Sequence, residues 1–241
     1  MPDAIRRLAR SPTFISKAHD IARAMVTQVF VANAKSWKHA AAIGSRAKEI
    51  YNMLKSETEK SARFQEIVKE NAKYITSIPN AMAEAVTKKA AESYGEGKRP
   101  NEVMQEIIQM CPGISNAKAR LIARTETSKA STALTRSRAE RLNLNWYVWR
   151  NSEDERVRSS HSHMGGVVIN WEDAPSPEAL DPAKKQKPYG KYHAGDTFNC
   201  RCYPEPLLNI NDIAWPARVY HGGKIQTMTK AKFKALNGGA L

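Results

Sequence analysis

Apolar positions in the first half of the chain recur at three- and four-residue intervals. Ile43, Ala47, Ile50, Tyr51 and Leu54 form one stripe, and Phe64, Ile67, Val68, Tyr74, Ile75 and Ile78, with Asn71 among them, form another. That spacing predicts amphipathic helices that need partners for their apolar faces. Pro79 predicts a stop, followed by a new helix from about Asn80 through Met82, Ala85, Val86 and Ala90 to the Gly95-Glu96-Gly97 break. Beyond Pro100, Asn101 suits the N-cap of a short helix carrying Val103, Met104, Ile107 and Ile108, which closes at Cys111-Pro112-Gly113. A long helix is then predicted from about Ser115 to Leu142. It is poor in large apolar groups and rich in Ala, Ser and Thr, so one face can pack closely while the other shows Lys and Arg.

At Asn143 the period changes. Trp146-Tyr147-Val148-Trp149 and Val167-Val168-Ile169 are aromatic and β-branched, a strand composition, with polar and Gly-containing residues between them. Residues 172–199 form a Pro-, Lys- and Asp-rich excursion, long for an unstructured loop. Past Leu208, the tail with Gly222-Gly223 and Gly238-Gly239 is predicted to be an extension that docks on a neighbour. These segments predict an α+β fold with a helical domain over 1–99, a long helix and small α+β module with a few short strands over 100–208, and a C-terminal extension over 209–241.

Composition narrows the function classes. The 241 residues are 41% apolar and 26% charged, with a mean hydropathy of -0.57, enough to build a core and too ordinary for collagen or wholesale disorder. The 38 Lys and Arg exceed the 24 Asp and Glu by 14, and 25 of the basic residues lie within 1–145 beside 14 acidic ones. A polyanion is the partner such a balance suits. The opening MPDAIRRLAR lacks the apolar run of a secretory signal, and no window approaches about 18 apolar residues, so neither export by that route nor a membrane span is expected. Three cysteines, two of them in Cys200-Arg201-Cys202, make no disulfide framework and fit a reducing, cytoplasmic setting.

Three stretches carry candidate chemistry. The segment from Met110 to Arg124 has the outline of a helix-hairpin-helix turning at Pro112-Gly113-Ile114. Such a turn either offers backbone N–H groups near Gly113 and Ser115 to phosphates or simply packs two helices. The long helix presents Lys118, Arg120, Arg124, Lys129, Arg136, Arg138 and Arg141 against Glu126 and Glu140. This is either a solvated face or a sequence-independent contact with DNA phosphates. In the α+β module, His161, His193, Cys200 and Cys202 form a candidate set of structural Zn²⁺ ligands, with His163 as a substitute. The alternative there is a pair of small buried thiols with surface histidines. A metal-assisted hydrolytic site using His161-Ser162-His163 beside Glu153, Asp154 and Glu155 is a further alternative, although no nucleophile elbow, phosphate-cradling loop or H-E-x-x-H supports it. No catalytic residue is assigned.

The order of the pieces resembles a known family. Ala123-Arg124-Thr125-Glu126 on a helix, an aromatic strand ending in Trp149, Arg156-Val157-Arg158-Ser159-Ser160-His161, then Met164 and Gly166, and finally Asn199-Cys200-Arg201-Cys202 with Pro204 are similar to the phage head morphogenesis proteins. These are the minor capsid proteins similar to protein F of phage Mu. The resemblance covers about residues 100–208, and its H-x-x-M-x-G and C-R-C elements fall on His161, Met164, Gly166, Cys200, Arg201 and Cys202. It implies a structural, non-enzymatic protein of the virion interior, present in the host cytoplasm during assembly. Its implied partners are the portal, capsid or scaffold proteins and double-stranded DNA. A sequence-independent DNA-binding protein acting outside a virion is the alternative. The 33 residues after Leu208 are too few for the toxin domain that some relatives carry there.

Overall fold

The computed structural model describes residues 2–44, 46–95, 100–183 and 186–237, the side chains of 2, 83, 86, 87, 89–95 and 100–115 excepted. Five helices come first: α1 (Pro2–Ala9), α2 (Pro12–Ile43), α3 (Ala47–Lys55), α4 (Ala62–Gly95) and α5 (Pro100–Arg141). Strand β1 (Trp146–Asn151), α6 (Ser159–Met164), β2 (Val168–Asn170), α7 (Pro177–Leu180), β3 (Cys202–Pro206), β4 (Ala217–His221), β5 (Lys224–Met228) and α8 (Lys230–Leu236) follow. The fold is α+β, with the strands confined to the C-terminal part.

Two predicted helix ends are absent. Helix α4 continues through Pro79, where the ring removes the one N–H that would reach the Ile75 carbonyl. The apolar positions Ile75, Ile78, Met82 and Ala85 keep helical spacing across it, so the stripe outweighs the breaker. Helix α5 likewise runs as one element through Cys111-Pro112-Gly113. The predicted hairpin therefore has no second helix N-terminus, and with it go the free backbone N–H groups near Gly113 and Ser115 that were to meet phosphates. The contacts of those two residues lie outside the described residues.

The chain divides into two compact units, 1–28 with 59–126 and 29–58 with 127–241. Their bounds differ from those read along the sequence, 1–99, 100–208 and 209–241. The predicted boundaries followed composition, whereas helices α2 and α5 each contribute residues to both units. In the first unit, Ala18, Ala22 and Val26 of α2 and Phe64, Ile67 and Val68 of α4 are buried. Arg23 donates to Gln65 at 3.0 Å and Thr27 to Glu59 at 3.2 Å, tying α2 to the start of α4.

The second unit is organised by a five-stranded sheet in the order β3-β1-β2-β4-β5. Strand β1 pairs antiparallel with β2 and β3, β2 runs parallel to β4, and β4 forms a hairpin with β5. Gly222 and Gly223 both have positive φ, the requirement of the two-residue turn that joins β4 to β5. The run Trp146-Tyr147-Val148-Trp149 is apolar throughout because both faces of the sheet are covered. Tyr147, Trp149 and Ile169 face a core shared with Trp37, Ile50, Met53 and Ala139 of the helices. Trp146, Val148 and Val168 face a second core with Val219, Met228 and Phe233. Residues beyond 208 thus complete the sheet and cover its second face, in place of the extension expected there.

Helices α2 and α5 are joined within this unit by buried polar groups. The Arg138 side chain, 1% exposed, donates to both carboxylate oxygens of Glu57 at 2.7–3.1 Å, to Asn33 Oδ1, and lies over the Phe30 ring. Asn33 in turn donates to Thr135 at 2.8 Å.

Candidate metal centre

Cys202 opens strand β3, and Cys200 and Arg201 lie just before it. Both thiols turn to His161. Arg201 between them points outward and pairs with Asp154 and, at 3.2 Å, Ser152. Cys202 is 4% exposed and lies opposite Asn151 of β1; Cys200 is half-buried. His161 comes from α6, is 1% exposed, and stands edge-on to Trp149 with ring centroids 5.7 Å apart. Met164 lies three residues on, one turn along the same face, and enters the core. Gly166 adopts φ +78° while its N–H bonds the Trp149 carbonyl at 2.9 Å, a left-handed turn that favours glycine. The H-x-x-M-x-G element thus supplies the imidazole beside the thiols, a core anchor and the turn that leads back to the sheet.

His161 Nδ1 lies 3.5 Å from Cys200 Sγ and 3.3 Å from Cys202 Sγ, and all three atoms fall within 4.8 Å of one another. A tetrahedral Zn²⁺ with bonds of about 2.3 Å to sulfur and 2.05 Å to nitrogen holds an N and an S about 3.6 Å apart. The spacing and the soft donor set fit such an ion. The contact with Cys202 pulls the Cys200 thiol below the usual range against the effect of burial, while Cys202 is pushed up by its contact with Cys200 and by burial.

His193, the expected fourth ligand, lies elsewhere. Its Nδ1 is 3.1 Å from the Tyr147 hydroxyl and its ring packs against Trp171. Burial, with Arg136 adding, lowers its pKa to about 4, so it is a neutral hydrogen-bonding group of the core. Its neighbour Tyr192 takes the place beside His161. His163, two residues along α6 and so about 200° around it, is outside the thiol cluster. Among the described residues, only His161, Cys200 and Cys202 converge as a potential metal group.

The sequence pattern did not expose Glu178 and Tyr192. Both come from the excursion over 172–199, whose Pro, Lys and Asp content reads as solvated loop, yet Glu178 is 2% exposed. Tyr192 Oη lies 3.0 Å from His161 Nε2 and donates to Glu178 Oε1, which also accepts from Ser160 Oγ at 3.3 Å. Burial, followed by the neighbouring Glu178, raises the Tyr192 pKa well above the phenol range, so the hydroxyl keeps its proton. The only signal available beforehand was the pair of helix formers after Ser176-Pro177, the start of α7.

The loop carrying Ala194 is held tightly to α5. Thr132 Oγ1 donates to Ala194 O at 2.7 Å, and Gly195, at φ +92°, leaves only 2.2 Å between an added Cβ and that same Oγ1. Gly195→Ala is expected to cost about 2–3 kcal/mol in urea denaturation, from backbone strain and the displaced Thr132 contact. A loss under about 0.5 kcal/mol contradicts this.

The basic residues predicted for DNA fall into different environments. In the first unit, Arg120 and Arg124 are exposed and Lys118 is half-buried. In the second, Lys129 is half-buried, Arg136 bonds Glu140 and Glu172, and Arg141 bonds Ser56 and Glu57. Arg138 is removed from the phosphate-binding set, since its guanidinium is buried and fully engaged with Glu57 and Asn33. No helix among the described residues is long and apolar enough to cross a membrane.

Comparison with known proteins places these elements. A protein of Haemophilus influenzae described as uncharacterized is 28% identical over 141 residues, which is 58% of this chain and 27% of that one. The minor head protein GP7 of Bacillus phage SPP1 is 28% identical over 139 residues, 56% of this chain and 41% of that one. The matched stretch is thus under half the length of either relative. No solved structure matches it. The family model for phage Mu protein F-like proteins matches residues 84–204, half of the chain, from within α4 through the C-R-C element to Pro204. The chain belongs to the phage Mu protein F-like family.

Proposed function

We propose that this chain is a structural head-morphogenesis protein of a phage or phage-like particle. It associates with the portal inside the procapsid, beside capsid or scaffold proteins, and is present in the host cytoplasm during assembly. The observation that carries this reading is that the family-matched segment is built around the H-x-x-M-x-G and C-R-C elements, which converge in one core, while a relative 28% identical over 139 residues is named a minor head protein. His161, Cys200 and Cys202 hold a Zn²⁺ that fastens α6 to the β3 edge of the sheet. With His161 and Cys202 almost fully buried, the ion acts as a staple for a small module. The test is isolation of assembling heads: the chain is expected to co-purify with portal and scaffold. Its absence from those particles, with free protein abundant, overturns the reading.

The charge excess of 14 suits non-specific contact with packaged DNA, and Lys118 and Arg120 are the residues through which we test it. Each phosphate neutralised contributes about 0.9 to the slope of log affinity against log salt. Lys118→Ala with Arg120→Ala is expected to lower that slope by about 2 in duplex-DNA titrations. An unchanged slope moves the DNA contact to other residues, and salt-insensitive binding contradicts an electrostatic contact altogether.

A further inference from the structure

We propose that Tyr192 and Glu178 are positioning residues of the metal centre. They form a one-way hydrogen-bond relay that fixes the His161 tautomer whose Nδ1 presents a bare lone pair to the Cys200 and Cys202 sulfurs. The inference rests on the metal reading above and adds two residues to it.

The direction of the relay follows from counting protons. The Glu178 carboxylate is an acceptor, and the Tyr192 hydroxyl has one proton, which it donates to Glu178 Oε1. The Tyr192 oxygen can then only accept from the ring nitrogen 3.0 Å away, so the proton of a neutral His161 sits on Nε2. Nδ1 is left without one, facing two sulfurs at 3.3 Å and 3.5 Å. Glu178 cannot itself be the fourth ligand. Its Oε1 is 3.7 Å from Nε2, on the side of the imidazole away from the thiols. Its other oxygen, Oε2, is buried with no hydrogen-bond partner among the described residues. A buried acid with an unsatisfied oxygen costs stability. Its place is accounted for by what Oε1 does for the ring. Ligating histidines commonly give their second N–H to a carboxylate in this way, directly or through another group, and loss of that partner typically lowers metal affinity 10–100-fold.

The test compares zinc affinity, by competition with a chromophoric chelator, for the full chain and for Tyr192→Phe and Glu178→Gln. The ¹⁵N spectrum of the zinc-loaded wild type, taken alongside, identifies which His161 nitrogen carries the metal. The expected results are metal on Nδ1 with a proton on Nε2, and an affinity about 10–100-fold weaker for Tyr192→Phe. Glu178→Gln keeps an oxygen able to accept from Tyr192 and is expected to lose less. A wild type that binds no zinc ends the metal reading and the relay together. A wild type that binds zinc while both variants match its affinity, or that carries the metal on Nε2, overturns the relay alone. Residues with a merely structural role would lower the melting temperature of the metal-free chain and leave zinc affinity and the Nδ1 assignment unchanged. If Tyr192→Phe does not fold, Glu178→Gln and the wild-type nitrogen assignment still decide.

Discussion

Arg138→Met is expected to destabilise the unit formed by residues 29–58 and 127–241 by about 3–5 kcal/mol in urea denaturation, the cost of leaving one member of a buried ion pair without its partner. Glu57, 12% exposed at its side chain, would lose two donors from Arg138 and retain, among the described residues, only Arg141 at 3.3 Å. Asn33 would lose its bond from Arg138 as well. Arg138→Lys should recover only part of the loss, because an ammonium cannot bridge both Glu57 oxygens and Asn33 with one planar fork. The double variant Arg138→Met with Glu57→Leu should be much less destabilised than Arg138→Met alone, since removing both charges also removes the orphan. If the single and double variants are equally destabilised, the cost lies in packing against Phe30 and the ion pair is incidental.

The second large effect is on the thiols. Cys200→Ser with Cys202→Ser is expected to abolish zinc binding and lower the melting temperature of the zinc-supplied protein by about 10 °C. The magnitude follows from linkage: an ion present at about 100–1,000 times its dissociation constant stabilises the folded state by about 2.7–4.1 kcal/mol, and each kcal/mol moves the midpoint by about 2–4 °C at this chain length. The effect stops short of unfolding, unlike that in a zinc finger, because the sheet has its own apolar cores on both faces. A chelator should reproduce the shift in the wild type and leave the double variant where it is. Chelator-insensitive melting in both would mean that the thiols are only small core side chains.

The parts of the fold that were legible in the sequence are those written in local periodicity. The stripes over 47–54 and 64–78, the aromatic strand at 146–149 and the strand at 167–169 all fall in helices or strands at or next to the predicted positions, but Ile43 ends α2 and is 79% exposed, so the stripe predicted from it is broken between α2 and α3. Helix ends were less legible because Pro79 and Pro112 are local signals, and each is overridden where the helix on either side contributes more than one lost hydrogen bond. The residues after 208 carry short strands with few apolar positions, and only the pairing of Val219 with Val168 makes them part of the sheet. At the candidate metal centre, the C-x-C spacing is tighter than the usual C-x₂₋₄-C of a zinc site, and only the fold shows that both thiols come to His161. His193 and Tyr192 could not be separated by sequence, since they are adjacent and which one meets His161 depends on how the 172–199 excursion folds back. Glu178 was hidden for the same reason. Arg138 shows the opposite failure: a basic residue on a basic helix looks solvated until its partner, 81 positions away, is known.

Binding of a metal ion by His161, Cys200 and Cys202 together is tested most directly by elemental mass spectrometry of the full chain purified under reducing conditions without chelator. About one zinc per chain is expected, falling to near zero in His161→Ala and in the double cysteine variant. A folded wild-type chain that carries no metal, and takes up none when zinc is supplied, would contradict it.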